Sequence, residues 1–210
     1  MGGTNCRSFR NGELSQSDLL QLKRLDGINV KDQPLQPHEV YLGLSPDRSE
    51  FFVGSDGQPD WLESANHLHR VYRYHHRVYF VRQSPSGNPA LYMLALNRAG
   101  MRRAQQLVEG VAAIEYRFGI DLDDDSAIDQ YLSADQISAA VWDRSAAAQI
   151  IAVQIHLLLS SVSEDRSAPA PARFLMPSGD RTFASDGRRR NKLSTTVMLR
   201  NPIFGSGGRR

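Results

Sequence analysis

The sequence predicts an α+β domain in which an antiparallel β-sheet is combined with one or two short helices. Short segments rich in β-branched and aromatic residues recur along the chain, and several of them alternate apolar with polar residues. Turn sequences separate these segments, as they do in hairpins. Only segments 14–25 and 133–148 have helical features, so strands should dominate the fold.

The composition fits one globular domain. The 210 residues are 40% hydrophobic and carry a formal net charge of +2, so a core can form, and the charge balance alone implies no nucleic-acid partner. The single cysteine, Cys6, excludes an internal disulfide and a cysteine-rich zinc site. The first residues lack a signal-peptide pattern, and we therefore expect a cytosolic chain or the soluble part of a larger protein.

One helix and four strands are predicted in the first half of the chain. The helix is segment 14–25, where Leu19, Leu22 and Leu25 form part of an apolar face. The last two strands flank the turn sequence SPSGNP and should form a hairpin. The predicted strands are 40–44, 50–53, 68–82 and 90–97.

The second half is organised around segment 110–129. Its first part alternates as a half-buried strand does. The apolar face of that strand consists of Ile114, Tyr116, Phe118 and Ile120. Glu115 and Arg117 lie on the opposite face, which Gly119 interrupts at a place suited to a bulge or a close approach. The strand then runs into an aspartate-rich loop.

A helix, two strands and a long loop complete the prediction. Ser133 and Gln136 have the spacing of a capping box, and the alanine-rich segment 133–148 favours a helix. Segment 145–163 has no formal charge, but its polar residues favour a buried strand over a membrane span. Strands 111–120, 150–159 and 195–199 should form the sheet. A single domain over 1–210 is expected, divided into an N-terminal segment (1–38), sheet and helix (39–162), a long loop (163–193), a last strand (194–201) and a flexible tail (202–210).

The aspartate-rich loop matches half of a calcium-binding motif. Counted from its first carboxylate, an EF-hand-like loop takes oxygen ligands at positions that are here Asp121, Asp123, Asp125 and Asp129. The usual glycine at position 6 is Ser126, and the usual bidentate glutamate at position 12 is Leu132. The pattern therefore leaves two interpretations open, a weak calcium site and a solvated acidic turn whose aspartates cap backbone amides.

Histidines and arginines form two further candidate sites. His67 and His69 would share one face of a strand as zinc ligands can, but no cysteine or carboxylate completes a site nearby, so a surface strand is favoured. The basic cluster 188–192 could contact phosphates of DNA. Few aromatic residues accompany it, so pairing with carboxylates of the aspartate-rich loop or of neighbouring subunits is favoured, and DNA binding is not expected.

Catalytic motifs are missing from the sequence. It contains no G-x-S-x-G elbow, no phosphate-binding P-loop and no H-E-x-x-H pair. Cys6 has no histidine nearby that could activate it as a nucleophile. We therefore predict neither an enzyme nor a catalytic residue.

Three segments in the same order resemble a known family. Segment 107–129 (LVEGVAAIEYRFGIDLDDDSAID) is similar to the strand and Asp-rich loop of PilW-type minor pilins of the type IV pilus. Segment 150–160 (IIAVQIHLLLS) resembles their V-x-A-V-R-I-x-L-L strand. Segment 186–201 (DGRRRNKLSTTVMLRN) resembles their C-terminal D-R-R-x-R-x-x-x-S-T-T-V-x-L-R-N. Gln154 replaces the usual arginine, Ser126 a common glycine, and Cys6 has no partner for a family disulfide.

The resemblance implies a pilin-like head domain whose N-terminal pilin helix is truncated. Such a protein would sit in the inner membrane with a periplasmic head and later at the pilus tip. It would prime type IV pilus assembly together with other minor pilins and a tip adhesin, in support of cell adhesion and twitching motility. Two alternatives remain, a minor pseudopilin of type II secretion and an extracellular module that binds calcium or DNA.

Overall fold

The computed structural model describes residues 17–64, 68–101, 103–165, 167, 172–183 and 185–199. The elements are mostly strands that pair antiparallel, with a few short helices, which confirms the predicted α+β class. The chain divides into two compact units. One consists of Met1–Glu13, Leu19–Phe80 and Leu91–Val108, and the other of Leu14–Asp18, Val81–Ala90 and Glu109–Arg210.

The first unit is built on a six-stranded antiparallel sheet. Its strands are β1 (Leu20–Leu25), β2 (Val40–Leu44), β3 (Ser49–Val53), β4 (Arg70–Gln83), β5 (Pro89–Ala95) and β6 (Ala104–Glu109). They follow the order β3-β2-β4-β5-β6, and β1 also pairs with β4. The predicted strands 40–44, 50–53, 68–82 and 90–97 are thereby confirmed, as is the hairpin of the last two.

The core of this unit includes a helix that the sequence analysis does not predict. Helix α1 (Asp60–Ser64) carries Leu62, which is fully buried against Tyr41, Phe52 and Val71. Leu62 also explains a glycine in β2, because a Cβ added to Gly43 would lie 2.5 Å from its Cδ1. This short helix therefore helps to close the core of the unit.

The helix predicted for 14–25 is wrong over residues 20–25, which form β1; residues 14–16 lie outside the described part. β1 pairs with β4 from Leu20 opposite Tyr79 to Leu25 opposite Tyr74. Its leucines are too few to bury a helical face, and Leu22 and Leu25 stay exposed. Backbone pairing along β4 therefore outweighs the weak helical pattern.

The second unit contains a four-stranded antiparallel sheet in the order β12-β9-β7-β8. Its strands are β7 (Val111–Asp121), β8 (Gln130–Leu132), β9 (Gln149–Ser160) and β12 (Arg190–Met198). The predicted sheet of strands 111–120, 150–159 and 195–199 is thus confirmed. The register of β7 against β9 shifts between Gly119 and Ile120, at the glycine where a bulge or close approach is predicted. A Cβ on Gly119 would lie 3.0 Å from that of Ala152.

The segment predicted as a long loop contains a hairpin. Strands β10 (Ala172–Met176) and β11 (Gly179–Phe183) pair antiparallel. Met176 is buried with Ala113 and Leu158 of the four-stranded sheet, and Phe174 and Phe183 pack against them. Proline and serine around this segment suggest a loop, but the hairpin is stabilised by tertiary burial that no local pattern records.

The helix predicted for 133–148 is wrong over most of its length. Only a 3₁₀ turn (Ala134–Gln136) and the four-residue helix α2 (Ala139–Trp142) form there. The predicted capping box between Ser133 and Gln136 is present, with both side-chain bonds made. The chain leaves the helical path where Arg144 adopts a φ of 56°, in the left-handed region that ends helices.

Candidate functional site

The aspartate-rich loop is closed by its own carboxylates. Asp121 is buried at the end of β7, and its two oxygens accept the backbone N–H groups of Asp124 (2.8 Å) and Ser126 (2.9 Å). Asp129 accepts the N–H of Leu122 at 2.6 Å. Asp124 and Ser126 have φ values of 64° and 68°, which explains why a glycine suits the position of Ser126.

Three of the four predicted calcium ligands come together. Carboxylate oxygens of Asp121, Asp123 and Asp129 lie within 4.8 Å of one another, whereas Asp125 is outside this group and accepts the N–H of Ala127. Calcium takes about six to eight oxygens, so these residues would supply only part of a coordination shell. Each carboxylate oxygen that accepts an amide keeps a second lone pair for a cation. The donor set therefore fits calcium in part.

Two histidines of β4 contact β1 or the residue that follows it. His75 Nε2 lies 2.9 Å from Asp26 Oδ1, and His76 Nε2 lies 2.5 Å from Gln21 Nε2. His67 of the zinc hypothesis is outside the described residues. Among the residues that are described, the group of side chains close enough to hold a metal ion is the aspartate group and contains no histidine. The histidines described here act as cross-strand partners.

Each arginine of the basic cluster is bound within its own chain. Arg188 donates to the side chain of Asn88 at 2.7 Å and to the carbonyl of Ser161 at 2.9 Å. Arg189 contacts Asp165 at 2.5 Å. Arg190 forms a bidentate ion pair with Asp186, with nitrogen–oxygen distances of 2.9 and 2.5 Å.

Two of the acceptors of this cluster are strongly acidic carboxylates. Hydrogen bonds from Ser167 and Arg189 lower the pKa of Asp165 to about 2. The bond from Arg190 lowers the pKa of Asp186 to about 2. The cluster thus pairs with carboxylates, but the expected pairing with the aspartate-rich loop is wrong, because the partners are Asp165 and Asp186. These contacts of Arg188, Arg189 and Arg190 hold the start of β12 in place, and we call them the arginine ties. Because the guanidinium groups are already bonded within the chain, they are less available for phosphates.

A buried ion pair, which the sequence analysis does not predict, joins the hairpin to β7. Glu115 is 3% exposed, and its carboxylate accepts the Arg181 guanidinium at 2.6 Å, the Ser178 N–H at 2.8 Å and the Ser178 hydroxyl at 2.7 Å. Burial raises the pKa of Glu115, but the bonds from Ser178 and Arg181 outweigh burial and lower that pKa below its ordinary value. The polar face of β7 is therefore covered by the hairpin and held by charge.

A pocket of about 320 Å³ opens beside this pair. It is lined by Ser17, Asp18, Glu115, Ser178, Gly179, Asp180 and Arg181. Glu115 is neutralised by Arg181, and Asp180 forms an ion pair with Arg173. Asp18 accepts the N–H of Tyr116 at 2.8 Å. The polar groups of the pocket are thus largely engaged in bonds that hold the fold.

The four-stranded sheet has an apolar face that becomes more exposed toward β12. By register, Ile114 of β7 faces Leu157 of β9, and Leu157 faces Leu193 of β12. Ile114 is buried and Leu157 half-buried, while Leu193 and Val197 of the same face are each 47% exposed. We call the row Val153, Ile155, Leu157, Leu193 and Val197 the open apolar face. Alternation in the sequence indicates the apolar residues of β7 that adjoin this face, and it does not indicate the face itself.

The two α-helices of the described residues are short, with five and four residues. None of these helices has the length and apolar character needed to cross a bilayer. Within the uncharged segment 145–163, residues Gln149–Ser160 form strand β9, which confirms the predicted strand 150–159.

A comparison with protein families gives a match that covers every strand of the four-stranded sheet. The family model of type IV pilus-assembly protein W (PilW) matches residues 78–201. No curated protein and no solved structure matches the chain. The family match takes in β7, β9, β12, the hairpin and the arginine ties, and it extends over more than half of the 210 residues. The chain therefore belongs to the PilW family of type IV pilus-assembly proteins.

Proposed function

We propose that the chain is the head domain of a minor pilin that primes the type IV pilus fibre or sits in a tip complex. The observation that carries the proposal is the family match, because it spans the complete sheet β12-β9-β7-β8. The proposed role is assembly by protein–protein contact and not catalysis. Its partners would be other minor pilins and a tip adhesin, with a periplasmic head and an N-terminal helix in the inner membrane.

The open apolar face supports a role in docking. Half-buried Ile155 and Leu157 adjoin Leu193 and Val197, which are both about half exposed. A row of apolar side chains that is only partly covered gains free energy when another surface removes it from water. A subunit that functions by joining others needs such a surface, and here it lies on the strands that the family shares.

Deletion of the gene in a bacterium that bears type IV pili tests the proposal. We expect the sheared surface fraction to lose at least nine-tenths of its major pilin, and the full-length gene to restore it. A double variant Leu193→Glu, Val197→Glu should fail to restore fibres, because charges on the open apolar face oppose docking.

The matched control replaces exposed apolar residues elsewhere. Leu107 and Val108 of β6 are 42% and 49% exposed, and the double variant Leu107→Glu, Val108→Glu should restore fibres. Normal fibres in the deletion strain, together with loss of type II secretion, would replace the proposal by the pseudopilin alternative. Normal fibres and normal secretion would contradict both.

A calcium site in the aspartate-rich loop is a second candidate function. The observation that favours it is the convergence of Asp121, Asp123 and Asp129 within 4.8 Å. A cation that binds only the folded state raises the thermal midpoint, by a few degrees for each kcal/mol of linkage. We expect such a rise with excess calcium relative to chelator.

Two single variants separate the site from general charge effects. Asp123→Ala should abolish the calcium-dependent rise, whereas Asp125→Ala should keep it, since Asp125 lies outside the group of three. Coincident melts of the unmodified chain in calcium and in chelator would mean that the loop is an acidic turn.

A further inference from the structure

Among the residues that the structure describes, β12 has a neighbouring strand on one side only. Within the described residues it bonds to β9 from Arg190 opposite Ser160 to Met198 opposite Ala152, and it is the last strand of its sheet. The register runs without a shift, so no bulge twists the strand away from a neighbour. The residues 193–198 (LSTTVM) are all exposed.

The backbone groups that point outward can be assigned. The N–H of Leu199 bonds to the Ile151 carbonyl, and the carbonyl of Arg189 accepts the N–H of Ser161. Residues of an antiparallel strand alternate in the direction of their hydrogen bonds. The odd-numbered residues of β12 therefore bond to β9, and Ser194, Thr196 and Met198 direct their N–H and carbonyl groups away from the sheet.

β12 carries Arg190 and Lys192 at its start, but from residue 193 on its outer edge lacks the features that protect other edge strands. Natural edges are shortened, charged, bulged or interrupted by proline, because an open edge accepts a further strand. β1 carries Lys23 and Arg24, β3 carries Glu50, and β8 has three residues. Residues 193–198 contain no charge, proline or glycine, and three of the six are β-branched.

We propose that this edge receives an extended, uncharged strand of another pilus component, which continues the sheet beyond β12. The inference rests on the proposed function, since a PilW-family chain acts together with other pilus components. Residues 193–198 offer no charge that could pair with a charged residue opposite them, so a strand that is neutral along about six residues fits this edge. Its apolar residues would alternate, to extend the face of Leu193 and Val197.

A second copy of this chain fits the edge less well. One antiparallel pairing of two copies is centred on Thr196, the middle of the outward residues 194, 196 and 198. Counted along the sequence, this register sets Lys192 of one copy opposite Arg200 of the other, twice. Like charges directly opposite each other destabilise a strand pair.

The test uses the full-length protein, co-expressed with the other minor pilins of its own organism and purified with them. Hydrogen exchange of the amides of Ser194, Thr196 and Met198 should slow at least tenfold in the complex relative to the chain alone. Thr196→Pro should reduce capture at least tenfold, because proline removes an outward N–H without removing a bond to β9.

Controls and contrary outcomes distinguish the edge from the rest of the molecule. Thr196→Ala keeps the N–H and should bind normally, and the melting midpoint of Thr196→Pro should stay close to that of Thr196→Ala. A complex with unchanged exchange along β12, or one that tolerates Thr196→Pro, overturns the strand addition and leaves the proposed function standing. No complex at all overturns both. Exchange protection that grows with the concentration of the chain alone would mean that a second copy occupies the edge and would overturn the proposed partner.

Discussion

At the scale of single residues, a buried charged side chain, that of Glu115, stabilises the second unit. Glu115 alternates with apolar neighbours along β7 and would be read as a solvent-facing residue, yet it is almost fully buried. Its charge is retained because Ser178 and Arg181 satisfy both carboxylate oxygens. A buried charge is tolerated only when such partners are present.

Removal of one member of this pair should be costly. We expect Glu115→Ala to lower the free energy of unfolding by about 3–5 kcal/mol, because the Arg181 side chain, which is only 12% exposed, then loses its ion pair with Glu115. Urea denaturation at neutral pH measures the change. Arg24→Ala, which breaks the exposed Arg24–Asp26 pair, should cost less than about 1 kcal/mol. Equal losses in the two variants would contradict the structural role of the buried pair.

The arginine ties make stability depend on pH in the acid range. Asp165 and Asp186 have folded pKa values of about 2 against an ordinary value of 3.8. Since these folded pKa values are depressed, both residues contribute stability above about pH 4, and that contribution is lost as the pH falls toward 2. We expect the unfolding free energy of the chain to decrease between pH 4 and 2.

Replacement of one acceptor identifies the source of that decrease. In Asp186→Asn the loss between pH 4 and 2 should be smaller than in the unmodified chain, because one titrating carboxylate is gone. Urea midpoints measured across this range give the comparison. If the unfolding free energy of both proteins fell equally between pH 4 and 2, the Arg190–Asp186 ion pair would not stabilise the folded chain in solution.

At the scale of elements, the hairpin β10–β11 is a packed part of the sheet's surface. Met176 is 2% exposed, whereas its neighbour Leu175 is 70% exposed. We expect Met176→Ala to destabilise the protein by about 2–5 kcal/mol through lost burial and a cavity. Leu175→Ala, one residue away, should change stability by less than about 0.5 kcal/mol. Thermal or urea melts measure both. Similar small effects would mean that the hairpin does not pack in solution.

At the scale of the whole molecule, the second unit draws on three separate parts of the chain. Ser17 and Asp18 bond to Ile114 and Tyr116 along β7. Asn88, from the turn between β4 and β5, accepts Arg188. These contacts come from segments 14–18 and 81–90, far in sequence from the sheet that they complete.

A fragment that begins at Glu109 should therefore fail to fold cooperatively. It keeps the four-stranded sheet but loses both remote segments, so backbone groups of β7 lose their partners. Circular dichroism during heating should show a broad transition, in contrast to a sharp one for the intact chain. A sharp transition of fragment 109–210 would show that the remote segments are dispensable.

The sequence by itself determined the α+β class, the strands 40–44, 50–53, 68–82 and 90–97, and the sheet of 111–120, 150–159 and 195–199. It also located the irregularity at Gly119, the capping box at Ser133 and the family. These features depend on alternation, turn residues and local hydrogen bonds, all of which are written in short stretches of chain. The strand β1, the helix α1 and the hairpin β10–β11 were decided by the tertiary structure, because each is stabilised by partners remote in sequence. The same reason applies to the candidate site: only folding brought Arg181 to Glu115, Asp186 and Asp165 to the arginines, and left the neutral edge of β12 open.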